Sequence, residues 1–252
     1  MSLQILADEK FTGAIWRMEI DELTDTLFAE VREEADKHVH FSAVNLQTGK
    51  ILFKEIATPE RWLAGIEAAY NGILLLHFYQ NESGPIHKGL MAIDGKTGAQ
   101  LWANYALAFD YLSDHGPVVF DLRVQPRKYF LLDVKTGATE RVYQPSPYKD
   151  LKSEIKYPEI KETDDVLQKL TFKHPFGNSI HYLECNSYRI VSLHAFKGGD
   201  LNQLLYILGG EELIYEDILN QGIQKMQPEA FIIHKNRVIY IKNRFELKIL
   251  SL

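Results

Sequence analysis

Three stretches of this chain share one pattern, and that pattern limits what the chain can fold into. Leu90 to Trp102 is an alternating apolar run closed by Asp94, a Lys96-Thr97-Gly98 corner, and a second run ending on Trp102. Val44 to Phe53 repeats it with Asn45, Thr48 and Gly49, and Leu132 to Thr139 repeats it with Asp133, Thr136 and Gly137. An Asp or Asn that closes a strand accepts hydrogen bonds from backbone amides two or three residues on, and a Thr hydroxyl supports the same corner. Glycine supplies the positive φ that turns the chain into the next strand. Leu52, Phe53 and Trp102 then bury large apolar side chains, each worth about 1.5–3 kcal/mol when fully covered. These residues read as structural, with no ligand needed to explain them.

The rest of the chain extends this hairpin into four-strand cycles. Ala14 to Ile20 and Thr26 to Val31 flank Asp21-Glu22-Leu23-Thr24-Asp25, where Asp21 and Thr24 keep the offset of Asn45 and Thr48. The charged run Arg32 to Lys37 reads as a solvated loop, and Val39 to Asn45 and Lys50 to Ile56 complete the first cycle. The second runs Trp62 to Tyr70, an Asn71-Gly72 turn, Ile73 to Tyr79, Gly89 to Asp94 and Ala99 to Asn104. The third is Ala106 to Leu112, Val118 to Leu122, Lys128 to Asp133 and Thr139 to Tyr143. A fourth is Ser179 to Glu184, Tyr188 to Phe196, Gln203 to Leu208 and Glu212 to Ile218, with Gly209-Gly210 in place of Thr-Gly. The last segment gives three strands only: Ala230 to His234, Arg237 to Lys242 and Phe245 to Leu250.

Corner glycines 49, 98 and 137 are separated by 49 and 39 residues. Four strands per such period is the signature of a β-propeller blade. Leu3 to Leu6 is the natural donor of the missing strand, which would close the ring with both chain ends and remove exposed edges. The expectation is all-β: one β-propeller domain over residues 1–252, with five four-stranded antiparallel blades. Residues 145–168 interrupt the rhythm with Pro145, Pro147, Pro158 and many charges, and read as an excursion between blades with a short helix near Thr163 to Lys169.

The pattern apolar-x-apolar-Asp-x-x-Thr-Gly-x-x-x-Trp, carried by Ile93 to Trp102, resembles the repeat of quinoprotein-type (PQQ-like) β-propellers. The copy at Asn45 replaces Asp by Asn, and the copy at Asp133 has Arg141 where the aromatic belongs. The resemblance implies blade architecture for the whole chain and no cofactor: quinone-binding members are longer and often carry paired cysteines, whereas this chain has only Cys185. In length and repeat degeneracy it is similar to bacterial propeller-like proteins that offer no activity to transfer.

Composition narrows the function classes. The net charge of −6, with acids and bases interspersed, argues against a nucleic-acid or membrane-surface partner, since both require a concentrated basic face. A single cysteine excludes an intrachain disulfide and suits a reducing compartment. No basic-then-apolar leader opens the sequence and no apolar run reaches membrane-spanning length, so a cytoplasmic protein is expected. The sequence contains no Gly-x-x-x-x-Gly-Lys-Ser/Thr, Gly-x-Ser-x-Gly, Cys-x-x-Cys or His-Glu-x-x-His.

The densest polar cluster is Asp110, Asp114, His115, Asp121 and Arg123, near an inner-strand position of the third cycle, and these are the binding candidates. Glu19, Glu67 and Glu184 are carboxylates on the corresponding strands of other cycles. His38 and His40 alternate onto one strand face without a third metal ligand in view, so no metal site is assigned. His77, His181, His194 and His234 read as hydrogen-bonded packing residues. Two functions follow as expectations. The first is a non-catalytic binding or interaction module for an unidentified protein or small molecule. The second is a small hydrolase or lyase acting on a carbohydrate-like substrate through channel carboxylates such as Asp110 and Asp121.

Overall fold

A computed structural model describes residues 3–81, 84, 86–142, 148–162 and 175–252. The fold is all-β. Five antiparallel sheets, each built around consecutive strands, have the blade topology of a β-propeller. Among the described residues no helix is long and apolar enough to cross a membrane.

The strands group into two compact units. One, residues 11–153, holds three four-stranded meanders. The first is β2 (Ala14–Asp21), β3 (Thr26–Glu33), β4 (His38–Asn45) and β5 (Ile51–Ala57). The second is β6 (Ala64–Tyr70), β7 (Ile73–Tyr79), β8 (His87–Asp94) and β9 (Gln100–Asn104). The third is β10 (Leu107–Ser113), β11 (Gly116–Asp121), β12 (Tyr129–Leu132) and β13 (Thr139–Val142). Phe28, Phe41 and Phe53 of the first sheet pack against Ile66, Leu76 and Met91 of the second. Leu75 and Leu90 pack in turn against Val119 and Leu132 of the third.

The other unit, residues 1–10 and 154–252, holds two five-stranded sheets. One is β15 (Glu159–Glu162), β16 (Ser179–Cys185), β17 (Tyr188–Lys197), β18 (Asp200–Gly209) and β19 (Glu212–Asn220). The second orders β1 (Gln4–Lys10), β22 (Glu246–Ser251), β21 (Arg237–Lys242), β20 (Ile232–His234) and β14 (Ile155–Lys156). The N-terminal strand therefore does complete the last sheet, with Gln4 opposite Ser251 and Lys10 opposite Glu246.

The repeated corner has the expected chemistry. Asp94 Oδ1 accepts from the Lys96 and Thr97 amides and the Thr97 hydroxyl, at 3.0, 2.8 and 2.9 Å. Asn45 Oδ1 accepts from the Thr48 amide and hydroxyl, both at 2.9 Å, and Asp133 Oδ1 from the Lys135 and Thr136 amides. Gly49, Gly98 and Gly137 hold φ of 71, 73 and 74°. In the first hairpin Asp25 takes the glycine position with φ 51°. The corners also interlock: a Cβ on Gly137 would lie 2.9 Å from the Trp102 ring, and one on Gly98 would lie 3.1 Å from Phe53. Trp102 Nε1 donates to the Val134 carbonyl at 2.8 Å. The aromatic of one copy thus seats on the glycine corner of the next.

One expectation requires correction. Arg32 to Lys37 is not a loop throughout: Arg32 and Glu33 extend β3, and Arg32 is buried. A charge run hid the strand because Arg32 is neutralised by Glu30 within the sheet. Within the segment expected to be an excursion, the described residues 148–162 include two short strands. β14 pairs with β20, and β15 with β16, so these two strands cover two sheet edges. The short helix expected near Thr163 to Lys169, the end of the third cycle at Tyr143, and Pro145 and Pro147 lie outside the described residues.

Candidate functional site

The first strand of each sheet in the 11–153 unit carries a β-bulge at the same relative place. Trp16 is the extra residue in β2, Glu67 in β6 and Asp110 in β10. A bulge leaves one residue unpaired and re-aims its side chain. Glu67 is the one around which charge collects.

A second bulge completes the arrangement. In β8, His77 pairs with Leu90, but Phe78 pairs with Lys88, so Gly89 is the extra residue, at φ 65°. Without it Tyr79 would face Lys88, and His87 would point to the opposite face from His77, because one residue of slip inverts a strand. With it, His87 stands opposite Tyr79. The His77 and His87 rings stack at 3.6 Å, parallel within 6°, and the Tyr79 ring meets both edge-on. Gly65, directly across from His77, leaves the space the imidazole fills: a Cβ there would be 2.9 Å from His77 Nε2.

Glu67 Oε2 lies 3.0 Å from His87 Nδ1, which hydrogen-bonds to it, and 3.2 Å from His77 Nδ1. His77 is 2% exposed, and neither of its ring nitrogens completes a hydrogen bond among the described residues. Burial works against the Glu67 carboxylate, but the two imidazoles outweigh it and hold its carboxyl below the usual range. Burial, aided by the charge of His77, pushes His87 below the ordinary histidine value.

Arg17 reaches across from β2. Its Nη1 donates to the Ile66 carbonyl at 2.8 Å and its Nη2 to the Glu67 carbonyl at 3.2 Å, the backbone groups at the bulge. Nη2 also lies 3.3 Å from Glu19 Oε2. Burial raises the Glu19 carboxyl even though Arg17 opposes the shift. Beneath this pair a buried clip joins the sheets: Glu30 accepts from Arg32 Nε at 2.6 Å and from the Ile66 amide at 2.8 Å. The Arg32 guanidinium donates to the Trp62 and Ala64 carbonyls and stacks on the Trp62 and Trp16 rings. Trp16 remains 57% exposed and forms an aromatic rim.

The five candidates read from sequence do not form one centre. Asp121 and Arg123 pair with each other at 2.9 and 2.7 Å, which takes the Asp121 carboxyl down to about 2. Asp114 pairs with His115, whose ring stacks on Tyr148. Gly116 and Asp121 stand at opposite ends of β11, about 17 Å apart at strand spacing, so these are two local pairs at two ends of a hairpin. Asp110 is exposed at its bulge. Glu184 sits in the other unit, where the Tyr182 hydroxyl donates to it. His38 and His40 meet edge to face at 5.7 Å, with Arg61 donating to His38 and Glu33 beside His40. The packing role expected of the strand histidines fits His194, which accepts from the Gln227 amide, and His181, bonded to the Pro228 carbonyl. His77 differs. The signal that could have found it was Gly89, an isolated glycine beside a strand and two residues from a histidine.

Residues 20–102, which contain Glu67, His77 and His87, match the model of a family described as Domain of unknown function (DUF4905). No curated protein sequence matches the chain. Among solved structures, Saccharomyces cerevisiae Sqt1 is 8% identical, with all of both chains covered and a TM-score of 0.39. The β-propeller domain of the trilobed protease from Pyrococcus furiosus is 10% identical over 94% of this chain and 65% of that one, with a TM-score of 0.34. The endo-arabinase of Bacteroides thetaiotaomicron is 11% identical over 96% and 97%, with a TM-score of 0.26.

Proposed function

We propose that the chain is a non-catalytic β-propeller binding module, and that it meets a small polar ligand at Glu67, His87 and Arg17, with Trp16 as an aromatic rim. The observation that carries this reading is the buried His77, whose ring nitrogens complete no hydrogen bond among the described residues although Nδ1 lies 3.2 Å from Glu67, beside the partly exposed His87 and the exposed Arg17. Leaving a buried polar group unpaired costs about 1–3 kcal/mol, and a ligand that pairs with His77 would recover part of that cost. Two bulges converge on the cluster, and bulges gather beside functional sites. The single cysteine, Cys185, is buried and free, which suits a reducing cytoplasm.

One observation favours the enzymatic alternative. Glu19 is held protonated more readily than usual and Glu67 less readily, and carboxyl groups pushed apart in this way divide acid and base roles. A hydrolase or lyase reading on a carbohydrate-like substrate therefore moves from Asp110 and Asp121 to Glu19 and Glu67. Calorimetric titration against a panel of neutral and uronic oligosaccharides, with product analysis of each mixture, separates the two. Saturable binding that weakens in Arg17→Met, with every sugar recovered intact, supports the module. New reducing ends, or unsaturated uronates that vanish in Glu67→Gln, support the enzyme. No binding by any panel member refutes both for this ligand class.

A further inference from the structure

We propose that Glu67, His77 and His87 together hold one divalent transition-metal ion of the zinc class. The inference deepens the binding-module reading by naming a ligand for the same cluster, and it rests on that reading.

One imidazole nitrogen from each histidine and one carboxylate oxygen of Glu67 lie within 4.8 Å of one another. Two histidines and a carboxylate form a donor set that zinc accepts, with metal–ligand bonds of about 2.0–2.2 Å and a fourth position left open. Such bonds in a tetrahedron set neighbouring ligand atoms about 3.3–3.5 Å apart. The carboxylate-to-imidazole separations of 3.0 and 3.2 Å fall a few tenths of an ångström short of that. Because the two rings are stacked parallel within 6°, their Nδ1 lone pairs do not yet converge, and metal binding would turn the partly exposed His87 ring out of the stack to bring both lone pairs onto the ion. The ion would take the place of the hydrogen bond between His87 Nδ1 and Glu67, and the neutral imidazole would then carry its one proton on Nε2.

Four features build this site rather than leave it to chance. The Gly89 bulge turns His87 onto the His77 face, and the Glu67 bulge aims the carboxylate between them. Gly65 clears the space at the His77 ring. His77 Nδ1 lies 3.2 Å from the same carboxylate oxygen that His87 bonds, yet completes no hydrogen bond with it. Behind the ligands, Arg17 ties down the carbonyls of Ile66 and Glu67, which fixes the strand that bears the carboxylate, as outer-shell bonds do in metal sites. A hydrogen-bonded cluster alone would need only one histidine.

The test uses tag-free, chelator-stripped protein titrated with Zn2+ by calorimetry and with Co2+ by visible absorption. The expected result is one ion per chain and the d–d bands of a low-coordinate cobalt site. Glu67→Gln and His87→Ala each weaken binding about 10–100-fold, while His38→Ala leaves it unchanged. His87 is partly exposed, so its variant keeps the test meaningful if His77→Ala does not fold; circular dichroism and thermal melts in chelator check each variant. Absence of 1:1 Zn2+ binding, or binding that survives both Glu67→Gln and His87→Ala, overturns the proposal, as does loss on His38→Ala alone. Sugar binding by the stripped protein without any Zn2+ binding would end the metal proposal and leave the binding module standing. Zn2+ binding lost in Glu67→Gln, with no sugar bound, would support the metal proposal and refute the oligosaccharide ligand.

Discussion

The interlocked corners make one quantitative demand. Substituting Gly137 by Ala places a Cβ 2.9 Å from Trp102 Cδ2 and 3.1 Å from Cγ, in a residue held at φ 74°. The backbone conformation alone costs an L-residue roughly 1–2 kcal/mol. The contact adds to this, because an indole ring cannot yield like the end of a flexible chain. Moving the ring to ordinary contact distance threatens the Trp102 Nε1 bond to Val134, worth about 0.5–1.5 kcal/mol. It also forces an off-rotamer side chain at about another 0.5–1.5 kcal/mol. The control lies in the same unit: Gly72 has φ 80°, but a Cβ there meets only Thr24 Cγ2 at 3.8 Å, so it reports the backbone term by itself. Gly137→Ala should therefore be about 1–3 kcal/mol more destabilising than Gly72→Ala, from the sum of the two added terms. In a chain of this size that corresponds to a melting point lower by about 2–12 °C. Urea unfolding followed by tryptophan fluorescence and circular dichroism measures both variants. Equal losses, within about 0.5 kcal/mol, would falsify the idea that aromatic and glycine from successive copies hold each other in place.

Two further outcomes follow from buried charge. Burial and the charge of His181 push His194 down to about 4, and its Nε2 accepts from the Gln227 amide, so the folded protein holds it neutral. The unfolded chain takes up the proton near pH 6.5, so stability is full above that value and falls as pH drops toward 4. The loss is up to about 3 kcal/mol, and urea midpoints measured from pH 7 to 4 should be flatter in His194→Gln; identical slopes would refute it. Arg32→Met leaves Glu30, 2% exposed, without its charge partner, and should cost about 3–5 kcal/mol. Glu30→Gln added to it should restore part of that stability, and simple additivity in urea would show that the clip is not a coupled pair.

Much of the architecture was legible in the sequence because its determinants are local. An Asx side chain, a Thr hydroxyl and a glycine within five residues define the corner wherever they occur, and their spacing gave the sheet order. The missing strand of the last sheet pointed to the N-terminus by elimination. The site was harder to see, since Glu67, His77 and His87 sit on three strands. Their meeting depends on Glu67 and Gly89 each being the extra residue of a pair, and register is a property of two strands together. Asp110, Asp114, His115, Asp121 and Arg123 attracted attention by closeness in sequence, yet neighbours along a strand diverge at about 3.4 Å per residue. The run of charges around Arg32 reads as loop because it reveals neither its partner Glu30 nor the carbonyls of Trp62 and Ala64.

The bulge on each first strand separates what the fold needs from what the chemistry needs. Trp16, Glu67 and Asp110 occupy the same backbone device with unrelated side chains, so the sheet asks for an extra residue there but not for a particular one. Around Trp16 and Asp110 no pair of histidines is drawn in among the described residues; around Glu67 a second bulge, a glycine gap and an arginine from the neighbouring sheet all act on the same few ångströms. The backbone device is common to three sheets, whereas the furnishing of the Glu67 bulge is particular to one. Changing the Glu67 carboxylate should therefore alter what the site holds while leaving the strand order intact, and changing Gly89 should do the reverse of a point change: with φ at 65° and the Tyr105 Cα only 2.9 Å from an added Cβ, it would undo the register that presents His87 at all.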